Sequence, residues 1–179
     1  MTIGNRTNAE KALTFSRSYV KFPGRRHFEI VGEGSRRKVV LHRPTQVVYK
    51  IDILYQGKAD AYSNVSEIRA CGRLAGMHHH PDIPFVVEVP EVTAYDFSRA
   101  DGSGIDTVVA MAYYGDDCDT PFDVDGYIRD VFCNSGWSDL FHANWRWFDG
   151  RLVIIDCGSF TADATPLHLR PAAREASNA

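Results

Sequence analysis

The stretch GWSDLFHANWRWFDGRLVIIDCGSF, Gly136–Phe160, carries the residues on which the reading of this chain turns. Asp139 and Asn144 stand five positions apart, and an apolar run, Leu152–Ile155, delivers Asp156 and Gly158. A strand-like segment ending in an aspartate, beside a loop bearing Asp and Asn, offers carboxylate and amide oxygens. These are hard ligands suited to Mg²⁺, which shares them with the phosphates of a nucleotide. Plainer roles fit each residue taken singly: Asp139 capping a helical turn, Asn144 bracing a loop, Asp156 closing a strand at a turn.

Working outward, the bulk composition is that of an ordinary globular chain. Its 179 residues suffice for one packed domain or two small lobes. A formal charge of -3 gives no electrostatic reason to expect a nucleic-acid or membrane partner. The four cysteines, at 71, 118, 133 and 157, show neither a CxxC pair nor zinc-finger spacing. Free thiols in a reducing compartment are the expectation. MTIGNRTNAEK at the start lacks the apolar core of a signal peptide, and no run approaches the roughly 18 apolar residues of a membrane span. Composition therefore predicts a cytoplasmic protein.

The chain divides into four stretches. Residues 1–24 read as a short helix or a loose arm, with an amphipathic hint over Ala9–Tyr19. Residues 25–115 are strand-rich. Phe28–Val31 and Lys38–His42 flank a Gly32-Glu33-Gly34-Ser35 turn, and Gln46–Ile53 follows Pro44-Thr45. Asn64–Ala75 has helical period, with Val65, Ile68, Cys71 and Ala75 as its apolar stripe, and Gly76 ends it. Phe85–Val89, Glu91–Tyr95 and Thr107–Ala112 complete the strand candidates. Residues 116–170 open with an acidic run, Asp116–Asp125, and hold a short helix near Val124–Cys133; residues 171–179 read as a frayed tail. The expected fold class is α+β: a five-stranded antiparallel sheet with one inserted helix, then a smaller loop-and-helix region.

Several pieces, in order, resemble the protein-kinase-like fold. Gly32-x-Gly34, with Val39 seven places after Gly32, resembles the glycine-rich loop, and Val47-Val48-Tyr49-Lys50 the lysine-bearing third strand. Glu67 falls where a helix brings a carboxylate to that lysine. Asp139-x-x-x-x-Asn144 is similar to the catalytic loop, and Asp156-Cys157-Gly158 to D-F-G. The layout is similar to the short Ser/Thr protein kinases of some bacteriophages, with a much reduced C-lobe. For a phage-encoded chain, this places the protein in the host cytoplasm.

The resemblance implies ATP and Mg²⁺ as cofactors. It implies that Gly32, Gly34, Ser35 and Val39 cover the nucleotide and that Lys50, held by Glu67, meets its α/β-phosphates. Tyr113 and Tyr114 fall at the adenine hinge, Asn144 and Asp156 at the metal, and Asp139 at the acceptor hydroxyl. A protein substrate or partner protein is implied beside the nucleotide. A non-catalytic kinase-like binding module and a small-molecule kinase are the alternatives.

The departures are specific. Arg37 stands at the third glycine position with Arg36 beside it, Trp137-Ser138 replaces His-Arg before Asp139, and no A-P-E follows Asp156. Local readings also compete. Lys50 fits a strand-edge lysine, Asn64-x-x-Glu67 has capping-box form, and Met77-His78-His79-His80-Pro81 fits a polar loop better than a metal site. Trp137, Trp145, Trp147 and Phe148 read as cover for a small core.

Overall fold

A computed structural model describes residues 3–17, 23–34, 36–52, 54–55, 58–59, 62–116, 119–137, 140, 142–158, 160, 164 and 167. The fold is α+β, with more strand than helix. The chain forms two compact units: Met1–Arg69 with Glu91–Tyr113, and Ala70–Pro90 with Tyr114–Ala179. The division is not a single cut. It falls inside a helix and returns across residues 70–90.

The first unit is built on a five-stranded antiparallel sheet in the order β1-β2-β3-β9-β8. Its strands are β1 (Phe28–Glu33), β2 (Arg37–His42), β3 (Val47–Asp52), β8 (Thr93–Ser98) and β9 (Ile105–Ala112). A small ladder, β4 (Leu54–Tyr55) with β5 (Lys58–Ala59), follows β3. Side chains alternate across a strand, and β3 is buried on both faces from Val47 to Ile51. Val47, Tyr49 and Ile51 join Phe28, Val40, Val108 and Ala110 in one apolar cluster. Helix α1 (Arg6–Arg17) closes that cluster with Ala9 and Ala12. The N-terminal segment is thus a core helix. Its small residues let it lie close on the sheet, which leaves a weak hydrophobic stripe in the sequence.

Lys50 and Val48 occupy the opposite face of β3. The first part of helix α2 (Tyr62–Leu74) belongs to this unit, and its buried residues here are Asn64 and Glu67. The helix starts two residues before Asn64, and its buried positions run Asn64, Glu67, Ala70, Cys71 and Leu74. The expected stripe is therefore displaced: Val65 and Ile68 are half-buried and Ala75 is exposed. Polar residues with partners in the sheet occupy the inward face, and a hydrophobic pattern cannot register them.

The second unit has a four-stranded sheet in the order β10-β11-β7-β6. It joins β6 (Gly76–His78), β7 (Val86–Val89), β10 (Trp145–Phe148) and β11 (Arg151–Ile154). β11 runs parallel to β7 and antiparallel to β10. Val86–Val89 therefore lies outside the five-stranded sheet in which it was expected; its buried Val87 pairs with Leu152 instead. The histidine run is corrected too. His78 is buried on β6, edge-on to Trp137 at 5.0 Å between ring centroids, with Nε2 2.6 Å from the Leu74 carbonyl.

The β10–β11 hairpin turns at Asp149-Gly150, both with positive φ (49° and 76°), as a two-residue turn of right-twisted strands requires. Ahead of it, α3 (Val124–Tyr127) is capped by Asp123, which accepts from the Gly126 N–H at 3.0 Å. It continues into a π-helical turn, Ile128–Phe132, and a 3₁₀ turn, Cys133–Ser135. Gly136 ends this run in the left-handed region. Trp137 and Trp145 are fully buried, whereas Phe148 is 40 % exposed.

Candidate functional site

In the first unit the sheet brings Lys50 and Glu67 together. β3 projects Lys50 to the face that α2 covers, and Lys50 Nζ is ion-paired with Glu67 Oε1. Lys50 is 4 % exposed and Glu67 fully buried. A charged pair taken this far out of water persists only when its geometry and hydrogen bonds compensate desolvation. Asn64 supplies part of that frame. Its amide donates to the Lys50 carbonyl at 3.1 Å and to the Thr107 carbonyl at 2.7 Å, holding α2 to β3 and β9. The amide thus serves the sheet, and the capping-box reading of Asn64 and Glu67 gives way to these partners.

A third charged residue joins them. Arg37, at the start of β2, is ion-paired with the other carboxylate oxygen, Glu67 Oε2, and donates to Asn64 Oδ1 at 3.4 Å. The sequence marked Arg37 only as a bulky substitute for glycine. A basic residue on a strand that meets a buried glutamate on a helix leaves no periodic signal. Only the β2–β3 register, with Arg37 opposite Asp52 and Val39 opposite Lys50, places it there.

The glycine-bearing turn is a tight hairpin. Gly32 pairs with Val39 across a register irregularity in β1, and the Gly34 N–H donates to the Arg37 carbonyl at 2.9 Å. That N–H closes the turn, and neither Gly32 nor Gly34 has positive φ. Ser35 lies outside the described residues. At the end of β9, the Tyr113 N–H donates to the Gln46 carbonyl at 2.9 Å.

The second unit holds Tyr114, Asn144 and Asp156. The Tyr114 hydroxyl donates to Glu88 at 2.9 Å, and its ring meets Phe148 edge-on. Burial, then the bond to Glu88, raises the phenol far above its ordinary value. Arg151 ion-pairs with the second oxygen of Glu88. This network fixes the Tyr114 side chain. The carbonyl of Asn144 accepts from the N–H groups of Ile155 (2.9 Å) and Asp156 (3.2 Å), so the two candidate ligands lie on adjoining backbone. Asp156 Oδ1 accepts from the Gly158 N–H at 3.0 Å, which steadies the carboxylate. Asp139 lies outside the described residues.

An amide oxygen and a carboxylate on adjoining backbone fit Mg²⁺, which takes one or two protein oxygens and completes its shell with phosphate and water. Among the described residues, no group of three or more His, Cys, Asp or Glu side chains gathers as a metal cluster. Asp116, Asp119, Asp123 and Asp125 are exposed. No helix among the described residues is long and apolar enough to cross a membrane. No protein-family model matches this chain, and no curated protein matches it.

Proposed function

We propose that the chain is an ATP- and Mg²⁺-dependent phosphotransferase of the protein-kinase-like type, acting on Ser or Thr hydroxyls of a protein. The observation that carries the reading is the buried Lys50–Glu67 pair on the third strand of a five-stranded antiparallel sheet. A lysine that served only as a strand surface would keep its ammonium in water; this one is held inside by a carboxylate on α2.

In the proposed reaction Lys50 steadies the α- and β-phosphates of ATP, and Glu67 keeps its ammonium in register. Asn144 and Asp156 would hold Mg²⁺, which would neutralise charge on the phosphates. Asp139 accepts the proton of the acceptor hydroxyl, or orients that hydroxyl. The hydroxyl oxygen bonds to the γ-phosphorus as its bond to the β-phosphate oxygen breaks, and ADP leaves. Positioning and charge compensation supply most of the rate.

One observation favours a second reading, a non-catalytic kinase-like module that binds a partner protein. Arg37 engages Glu67 at the position where the resemblance expects a third glycine, so the turn is bulky and basic beside Lys50. Labelled ATP separates the two. The catalytic reading expects Mg²⁺-dependent transfer to the chain itself or to a basic protein, lost in Asp139→Asn and in Asp156→Ala while both variants keep the wild-type melting profile. Transfer that persists in both variants contradicts it, and absence of transfer by the wild type supports the binding module.

A further inference from the structure

Two thiols of the second unit meet in its interior. Cys71 lies on α2 and Cys157 directly follows Asp156; they are 2 % and 1 % exposed, and their sulfurs are 3.5 Å apart. Neither is in a disulfide bond. Packing alone would be served by alanine or valine at either place. Sulfur facing sulfur adds a chemistry that neither of those residues supplies. A disulfide bond is about 2.05 Å long, so closure asks the sulfurs to approach by roughly 1.5 Å.

We propose that Cys71 and Cys157 are an oxidisable pair that closes into an intramolecular disulfide, tying the Asp156-Cys157-Gly158 loop to α2 within the second unit. The oxidant is a small peroxide such as hydrogen peroxide, since burial of both sulfurs bars bulky disulfide reagents. One thiolate attacks the peroxide; an S–O bond forms, the O–O bond breaks, and the departing hydroxide leaves as water after taking up a proton. The second sulfur then attacks the resulting sulfenic acid. The S–S bond forms, the S–O bond breaks, and a second water leaves. Two thiols are oxidised and one peroxide is reduced. In a reducing compartment the pair rests as thiols and closes only transiently. Disulfide closure depends on thiol geometry alone, so it stands or falls apart from the phosphotransferase reading.

The cysteines lie 86 positions apart, and a cross-link over so long a loop restricts the unfolded chain strongly. The test treats the purified full chain with hydrogen peroxide, denatures it, alkylates the remaining thiols and measures intact mass and peptide connectivity. The expected result is loss of two hydrogens, two alkylated thiols out of four, and a peptide joining Cys71 to Cys157. A thiol reductant restores all four. The oxidised form melts roughly 5–15 °C higher. Cys71→Ser and Cys157→Ser each abolish the mass loss, and the wild-type thiol count decides the matter even where a variant fails to fold. Addition of oxygen without loss of two thiols overturns the proposal. So does a disulfide that runs instead to Cys118 or Cys133.

Discussion

Arg37 and Lys50 are bound to the same carboxylate: Glu67 gives Oε2 to the arginine and Oε1 to the lysine. One buried anion therefore organises two cations from neighbouring strands. Its removal strips that carboxylate from both, whereas removal of either cation leaves a paired charge behind. Stability and the proposed phosphoryl transfer should therefore rank these residues differently.

Glu67→Gln is expected to destabilise most, by about 3–5 kcal/mol, the usual cost of breaking a buried charge cluster at its shared member. Lys50→Met and Arg37→Ala each cost less, about 1–2 kcal/mol. The proposed phosphoryl transfer should follow another order: Lys50→Met is expected to abolish it while the fold persists. Urea titration of the three variants, with transfer measured on each, checks both rankings.

Asp106 gives a pH-dependent counterpart away from the candidate site. It is nearly buried and accepts from Arg17 Nη2 and Arg99 Nε, each at 2.9 Å. Burial pushes its carboxyl up, but the hydrogen bonds from Arg17 and Arg99 outweigh burial and the net shift is downward. A carboxyl depressed in the folded state contributes stability that is fully present above its unfolded value, about 3.9. That contribution is lost as pH falls through the lower folded value. Asp106→Asn should therefore lower stability by about 1–3 kcal/mol at pH 6. The gap between variant and wild type should narrow steadily below about pH 4. Melting curves from pH 7 to pH 3 test this, and a constant gap would contradict it.

Gly4 and Gly150 both have positive φ, 73° and 76°, yet their surroundings differ. A Cβ on Gly4 would stand 2.8 Å from the Tyr49 hydroxyl oxygen, whereas one on Gly150 meets nothing within 4 Å. Gly150→Ala should then cost only the left-handed strain, about 1–2 kcal/mol. Gly4→Ala adds a clash against the fully buried Tyr49, and about 2–4 kcal/mol is expected. Denaturant midpoints of the two variants decide whether α1 is seated as tightly as the packing indicates.

Strand-rich stretches were legible because their signals are local. The runs near Phe28, Lys38, Gln46 and Thr107 became β1, β2, β3 and β9, close to the expected limits. Lys50 and Glu67 were legible as a pair by resemblance alone, and geometry then brought them together. Three features escaped for physical reasons. Strand β10 was hidden among aromatics, although Asp149-Gly150 was a usable hairpin signal. Val86–Val89 has the same composition whichever sheet it joins, so only its pairing with β11 could place it. Arg37 reached Glu67 through strand register, which no sequence period reports.

Asp156 offers a narrower test of the metal assignment. Its carboxylate is steadied by the Gly158 N–H and is half-buried rather than locked in the core. Asp156→Ala should leave melting within about 1 kcal/mol of wild type. The proposed function expects ATP with Mg²⁺ to raise the melting temperature of the wild type, and Asp156→Ala should abolish that rise. An undiminished rise in the variant would remove Asp156 from the metal site.

The most direct measurement is intact mass of the purified chain, with a basic protein acceptor, after incubation with ATP and Mg²⁺. The proposed function predicts a phosphoryl adduct on the chain or the acceptor, absent without Mg²⁺ and absent in Asp139→Asn. An adenylyl adduct in its place, or no adduct on either protein, would contradict it.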